Sequence, residues 1–168
     1  ATLESEIAAA CCAAGVRLLG PNCLGLINSH HKMNASFAKH MPRTGGISVI
    51  SQSGALCTSI LDWAENRDVG FSAVVSTGIA ADIDFGDILD FLASDPKTES
   101  IILYVEGLSD SRRFMSGLRA ASRIKPVIAI KAGRSTEGAA ASMSHTGAIV
   151  GGDEAFTAAL NRSGVVRV

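Results

Sequence analysis

Aromatic side chains make up only 5% of this 168-residue sequence and charged ones only 18%, with the two signs nearly cancelling to a net charge of −1. Few aromatics argue against a surface that stacks nucleobases. The charge balance leaves no electrostatic case for nucleic acid or an anionic membrane as partner. No apolar run approaches the roughly 20 residues that span a bilayer. Only four cysteines occur, Cys11, Cys12, Cys23 and Cys57. The adjacent pair fits no zinc spacing such as C-x2-C, so no metal site is expected, and small apolar packing positions in a reducing cytoplasm are the simpler reading. The opening ATLESEIAAACCAAG has early acids, no basic region and no initiator Met. It does not resemble a signal peptide, and the chain reads as an excised piece or a processed product.

What is present is apolar content, at 47%. That supports one domain, or one domain plus a fragment of another. ESEIAAACCAAG reads as a helix ending at Gly15, and VRLLG as a short strand after it. Residues 20–46 look irregular, and their His30, His31 and His40 read as solvated loop residues without an acidic partner. Then the pattern alternates. GISVISQ, FSAVVS, SIILYVE, KPVIAIK and VVRV read as strands. Between them lie helices over SGALCTSILDWAENR, IDFGDILDFLASD, DSRRFMSGLRAASRI and DEAFTAALNRSG. In the second of these Ile88, Leu89, Phe91 and Leu92 are expected to face inward, and Ser109 or Asp110 caps the third. Strands apolar on both faces argue for a parallel sheet covered on both sides, a flavodoxin-like doubly wound α/β fold. Residues 1–29 look like the tail of a preceding domain, and 30–168 like the flavodoxin-like unit.

In such a sheet ligands bind beyond the carboxyl ends of the strands. At the junction ISQSGAL, Ser51, Gln52, Ser53 and Gly54 stand where a strand gives way to a helix. A helix N-terminus with small residues and hydroxyls admits an anion; a single serine N-cap is the plainer alternative. Cys57 lies one turn inside the apolar helix and reads as packing. At STGIAADIDFGD, Ser76, Thr77 and Gly78 end a strand, and Asp82 and Asp84 are helix caps or part of a ligand loop. Glu106 closes the apolar strand SIILYVE. A carboxylate there needs a partner, either a structural cation or a histidine whose tautomer it fixes.

The stretch SMSHTGAIVGG, residues 142–152, surrounds His145 with small residues. A packing histidine has bulky apolar neighbours, and a surface histidine needs no clearing. The composition leaves room for something to approach the imidazole. If the strand ends face one way, Ser51, Ser53, Glu106 and His145 converge into an anion cradle, a carboxylate and an imidazole, a set suited to a histidine that carries a phosphoryl group. A Ser-His-acid hydrolase is the competitor, but SQSGA is not the G-x-S-x-G elbow. The Gly/Ala/Ser-rich segment 132–144 is expected to act as a hinge for His145.

Together GPNCLGLIN, GGISVISQSGAL, YVEGLSD and SHTGAIVGGDEAF resemble the succinyl-CoA synthetase alpha subunit and, more closely, the nucleoside-diphosphate-forming acyl-CoA synthetases. The resemblance runs along nearly the whole chain in order. It implies that His145 is the phosphohistidine, that Glu106 orients or deprotonates it, and that Ser51, Ser53 and Gly54 bind phosphate. Gly20, Pro21, Asn22 and Cys23, with Thr77 and Gly78, would lie near the CoA thioester. The implied cofactors are CoA or acyl-CoA, phosphate, and ATP/ADP with magnesium on an ATP-grasp domain that this chain does not contain. The implied partners are that domain and a CoA-binding domain, in the same protein or a partner subunit, with a homo-oligomer open. One departure stands out: where the family often has Gly-Asn, this chain has Gly78-Ile79. LSDSRRFMSGLRAASRIKP also resembles the synthetase-like region of GNAT-fused protein lysine acetyltransferases. That resemblance implies an alternative, an acetyl-CoA-sensing regulatory module without chemistry of its own.

Overall fold

From β3 onward apolar strands and helices alternate in the computed structural model, which describes residues 2–133 and 153–168. The elements are α1 (Leu3–Ala13), β1 (Gly25–Asn28), β2 (Met33–Ser36), β3 (Thr44–Ser51), α2 (Gly54–Glu65), β4 (Phe71–Ser76), α3 (Phe85–Ser94), β5 (Ser100–Val105), α4 (Ser111–Ser122), β6 (Val127–Lys131), α5 (Asp153–Arg162) and β7 (Val166–Arg167). They build one sheet of order β2-β1-β4-β3-β5-β6-β7. The five strands from β3 onward pair in parallel in the flavodoxin-like order.

Successive residues of a buried strand serve opposite faces of the sheet. On one face Val49 and Val74 pack with Cys57 and Ala64 of α2. On the other, Ile50, Val75 and Leu103 pack with Leu89 and Leu92 of α3, Phe114 and Leu118 of α4, and Leu160 of α5. Helices therefore cover both faces, as the pattern of the strands requires. The helices α3 and α4 approach closely at two glycines: a Cβ on Gly117 would lie 3.0 Å from the Gly86 carbonyl oxygen.

Several expectations need correction. The sheet is mixed, because the stretch expected to be irregular contains the β1–β2 hairpin, and β1 pairs antiparallel with β4. Residues 29–32 form the turn of that hairpin, with a strand of the same sheet on either side. VRLLG is not a strand. Its backbone instead meets the loop before α3: Ala81 N donates to Gly20 O, and Ile83 N to Leu18 O. Phe91 is 61% exposed, outside the arc formed by Phe85, Ile88, Leu89 and Leu92. The helix α1 buries none of its residues, so Cys11 and Cys12 are not core positions. His30 is half-buried, and its Nε2 lies 3.1 Å from Gly45 O. His31 and His40 are exposed as expected.

Candidate functional site

The carboxyl ends of β3, β4 and β5 meet the 20–24 segment at one cleft of about 410 Å³. Asn22, Cys23, Gln52, Ser53, Gly54, Gly78 and Glu106 are among the residues that line it. Parallel strands bring three sequence-distant junctions to one end of the sheet, which is why residues 54 positions apart become neighbours there.

The turn after β3 is built by its serines. The Ser51 hydroxyl donates to Ser53 O and accepts from Ser53 N, each at 2.9 Å, and Ser51 is fully buried. Ser53 is the N-cap of α2, its hydroxyl accepting from Leu56 N at 3.2 Å. Ser51 thus shapes the turn, while Ser53 and Gly54 reach the cleft at the positive end of the helix. One turn in, Cys57 is fully buried. Burial pushes its thiol up to about 11, so it is packing rather than a nucleophile.

Glu106 is 8% exposed, just past the end of β5. Its backbone is held by Gln52: Gln52 Oε1 accepts from Glu106 N at 2.6 Å and from Gly107 N at 3.0 Å. The sequence places Gln52 at this junction without a role of its own, and its place between the two serines of the turn is the signal for one. The charge of Glu106 also acts on Tyr104, whose hydroxyl is raised above its ordinary value, first by burial and second by that carboxylate.

The loop after β4 interlocks with the GPNC segment. Gly78 has φ +54°, and a Cβ there would lie 2.3 Å from Pro21 O and 2.4 Å from Asn22 O. Only glycine fits both the left-handed backbone and the gap. Ile79 N donates to Pro21 O at 3.0 Å. Leu24 N donates to the Ser76 hydroxyl at 3.1 Å. Thr77 is fully buried, and its hydroxyl has no hydrogen-bond partner among the described residues. Gly20 and Pro21 are joined by a cis peptide bond. The GPNC residues, Thr77 and Gly78 are therefore one packed unit beside the cleft.

Asp82 and Asp84 are structural. Arg17 holds Asp82 at 3.0 Å, and Leu18 N donates to it at 2.7 Å. Asp84 caps α3 in a capping box with Asp87, and Arg113 pairs with Asp87. His145, the whole of SMSHTGAIVGG up to Gly152, and the expected hinge beyond Gly133 lie outside the described residues. At the far side of that gap, Asp153 begins α5 and is gripped by two cations that sequence reasoning missed. Arg167 Nη2 lies 2.5 Å and the buried Lys131 Nζ 3.5 Å from Asp153 Oδ1. The Arg167 hydrogen bond holds that carboxyl below its ordinary value.

Comparison with known proteins adds a family. A model described as the succinyl-CoA ligase like flavodoxin domain matches residues 44–168. The ADP-forming acetate–CoA ligase I of Archaeoglobus fulgidus is 46% identical over 166 residues, covering 99% of this chain and 24% of that protein. The alpha subunit of the Pyrococcus furiosus ADP-forming acetate–CoA ligase I is 46% identical over 153 residues, covering 91% of this chain and 33% of the subunit. In three dimensions the chain is similar to acetyl-coenzyme A synthetase 1 of Ca. Korarchaeum cryptofilum, solved with phosphate and ADP. There the TM-score is 0.93 at 38% identity, over 99% of this chain and 36% of that one. The chain thus spans between about a quarter and a third of the length of these relatives.

Proposed function

The chain belongs to the family of succinyl-CoA ligase-like flavodoxin domains, and we propose that it serves as the phosphohistidine-bearing domain of an ADP-forming acyl-CoA synthetase. One observation carries this reading: the Ser53-capped end of α2, the Gln52-held Glu106 and the interlocked 20–24 and 77–79 loops face one cleft. A phosphate at the helix end, a carboxylate beside it and a thioester approaching over the GPNC segment suit the chemistry of such a site.

Phosphate oxygen attacks the thioester carbonyl, the C–S bond breaks, and CoA leaves as its thiolate. The resulting acyl phosphate is attacked at phosphorus by a neutral nitrogen of His145. The P–O bond to the acyl group breaks and a carboxylate departs. A terminal oxygen of ADP then takes the phosphoryl group, giving ATP and the free imidazole. Each step is reversible. Glu106 accepts the N–H of one ring nitrogen, so that the other keeps its lone pair. The amides at the start of α2 stabilise charge on the phosphoryl oxygens. Ser51 acts at one remove, by holding the turn.

CoA, nucleotide and magnesium are held by a CoA-binding domain and an ATP-grasp domain, on the same polypeptide or a partner subunit. No helix among the described residues is long and apolar enough to cross a membrane. The four free cysteines agree with a cytoplasmic setting. The named relatives are ligases and synthetases, and they lend no support to the acetyltransferase-fused sensor. The test is ATP formation by the full-length protein from acyl-CoA, phosphate and ADP, which this reading requires and a pure sensor lacks.

A further inference from the structure

Away from the cleft, one carboxylate is held by two cations drawn from neighbouring strands. Asp153 opens α5, Lys131 closes β6, and Arg167 lies on β7. Lys131 is 6% exposed. Its Nζ stands 3.5 Å from Asp153 Oδ1 and 5.6 Å from the centre of the Phe156 ring, with no hydrogen-bond partner among the described residues. Arg167 Nη2 donates to the same carboxylate oxygen at 2.5 Å, and Nη1 donates to Asp153 O and to the Thr157 hydroxyl. The register pairs Ala129 with Arg167. Arg167 and Lys131 therefore share one face of the sheet, the face on which Phe156 and Leu160 of α5 pack.

Packing alone does not require these charges. Val127 and Ala129 are buried on that same face, and α5 already has apolar contacts there. A Leu or Met at position 131 would continue the pattern without the cost of burying an ammonium group. What the ion cluster adds is direction. Apolar contact lets a helix slide or turn, whereas several polar contacts to its first turn admit one placement. That placement matters because of where β6 ends. Lys131 is paired with Val105, the residue before Glu106. At Asp153 the chain is thus tied back to the strand end it left after Lys131, beside the strand that leads into Glu106.

We propose that Asp153, gripped by Lys131 and Arg167, is a positioning residue for phosphoryl transfer. The cluster fixes the start of α5 against the end of β6, and so fixes one end of the segment that carries His145. This rests on the ligase reading above. In that reading His145 exchanges its phosphoryl group with an acyl phosphate at the cleft of this chain and with ATP on a separate domain. The cluster belongs to the sheet that forms the cleft, so it acts on the first exchange more than on the second.

The test uses the full-length protein with any partner subunit. It compares initial rates of His145 phosphorylation from two donors: γ-labelled ATP with magnesium, and labelled inorganic phosphate with the best of acetyl-, isobutyryl- and phenylacetyl-CoA. Asp153→Asn keeps the shape and removes the charge. It is expected to lower the ratio of the phosphate-dependent to the ATP-dependent rate about tenfold, on the scale of misplacing a reacting group. Lys131→Met is expected to move the ratio the same way by a smaller factor, because Arg167 still holds Asp153. A ratio is insensitive to a uniform loss of folded enzyme. A ratio that Asp153→Asn leaves unmoved or raises, however far both rates fall, reduces the cluster to a fold contact and overturns the inference with the ligase reading intact. A wild type that takes no label from either donor, or from ATP alone, overturns the ligase reading and this inference with it.

Discussion

Gln52 and Glu106 are joined backbone to side chain: one amide oxygen of Gln52 accepts from two consecutive N–H groups, Glu106 N at 2.6 Å and Gly107 N at 3.0 Å. The bond ties the turn after β3 to the turn after β5 and fixes where the Glu106 carboxylate starts from. Gln52→Leu strands both amides. The expected cost is about 1–3 kcal/mol by denaturant unfolding. Ligase turnover of the full-length protein should fall further than the folded fraction does, because the carboxylate loses its anchor. An unchanged midpoint and unchanged turnover together would show that the clip has no part in the site.

The lock between Gly78 and the GPNC segment makes a second prediction. Gly78→Ala places a methyl 2.3 Å from Pro21 O on a left-handed backbone. Strain and displacement together should cost about 1–3 kcal/mol. Circular dichroism melts compare it with Gly164→Ala, whose φ is +69° but which has nothing within 4 Å of an added Cβ. If the two substitutions cost the same, close packing at Gly78 contributes nothing beyond backbone strain.

Much of the fold could be read from composition at particular places. FSAVVS forms β4 from Phe71 to Ser76 because six buried residues lie between Gly70 and the turn at Thr77. The β1–β2 hairpin was not legible. GLIN and MNAS are four residues each, and β2 is mostly exposed, so neither apolar runs nor alternation mark it. Phe91 misled because it is apolar and only three residues from Ile88, yet the core-facing arc had already been filled by Leu89 and Leu92. At the site, Ser53 and Glu106 could be picked out because a hydroxyl before a helix and a carboxylate after an apolar strand are chemically conspicuous. The pair of hydrogen bonds that Gln52 accepts could not be read, because it depends on strands β3 and β5 being adjacent in the sheet.

Acid should expose the anchoring of the 17–18 segment. The Arg17 hydrogen bond, then the Leu18 amide, hold the Asp82 carboxyl below its ordinary value of 3.8. A depressed carboxylate stabilises the fold fully above its unfolded-state value, and that contribution fades as the pH falls through the folded-state value. The stability gap between wild type and Asp82→Asn should be constant near neutrality and close as the pH drops below about 4. Unfolding midpoints across pH 2–7 measure it. A gap that persists at the acid end would mean that Asn loses shape rather than charge.

Thiol chemistry checks the burial of α2. Cys57 is fully buried with its thiol pushed up to about 11, whereas Cys12 is exposed. Iodoacetamide at pH 8 should modify Cys12 in the native protein and Cys57 only after denaturation, as read by peptide mass spectrometry. Rapid native labelling of Cys57 would contradict the packing of α2 on β3 and β4.

The central claim is that His145 carries the phosphoryl group. The most direct measurement incubates the full-length protein with magnesium and γ-labelled ATP beside a His145→Ala variant. The account predicts an acid-labile, base-stable label on the wild type alone. No label on either protein, with acetyl-CoA binding intact, would contradict it and make the site a sensor.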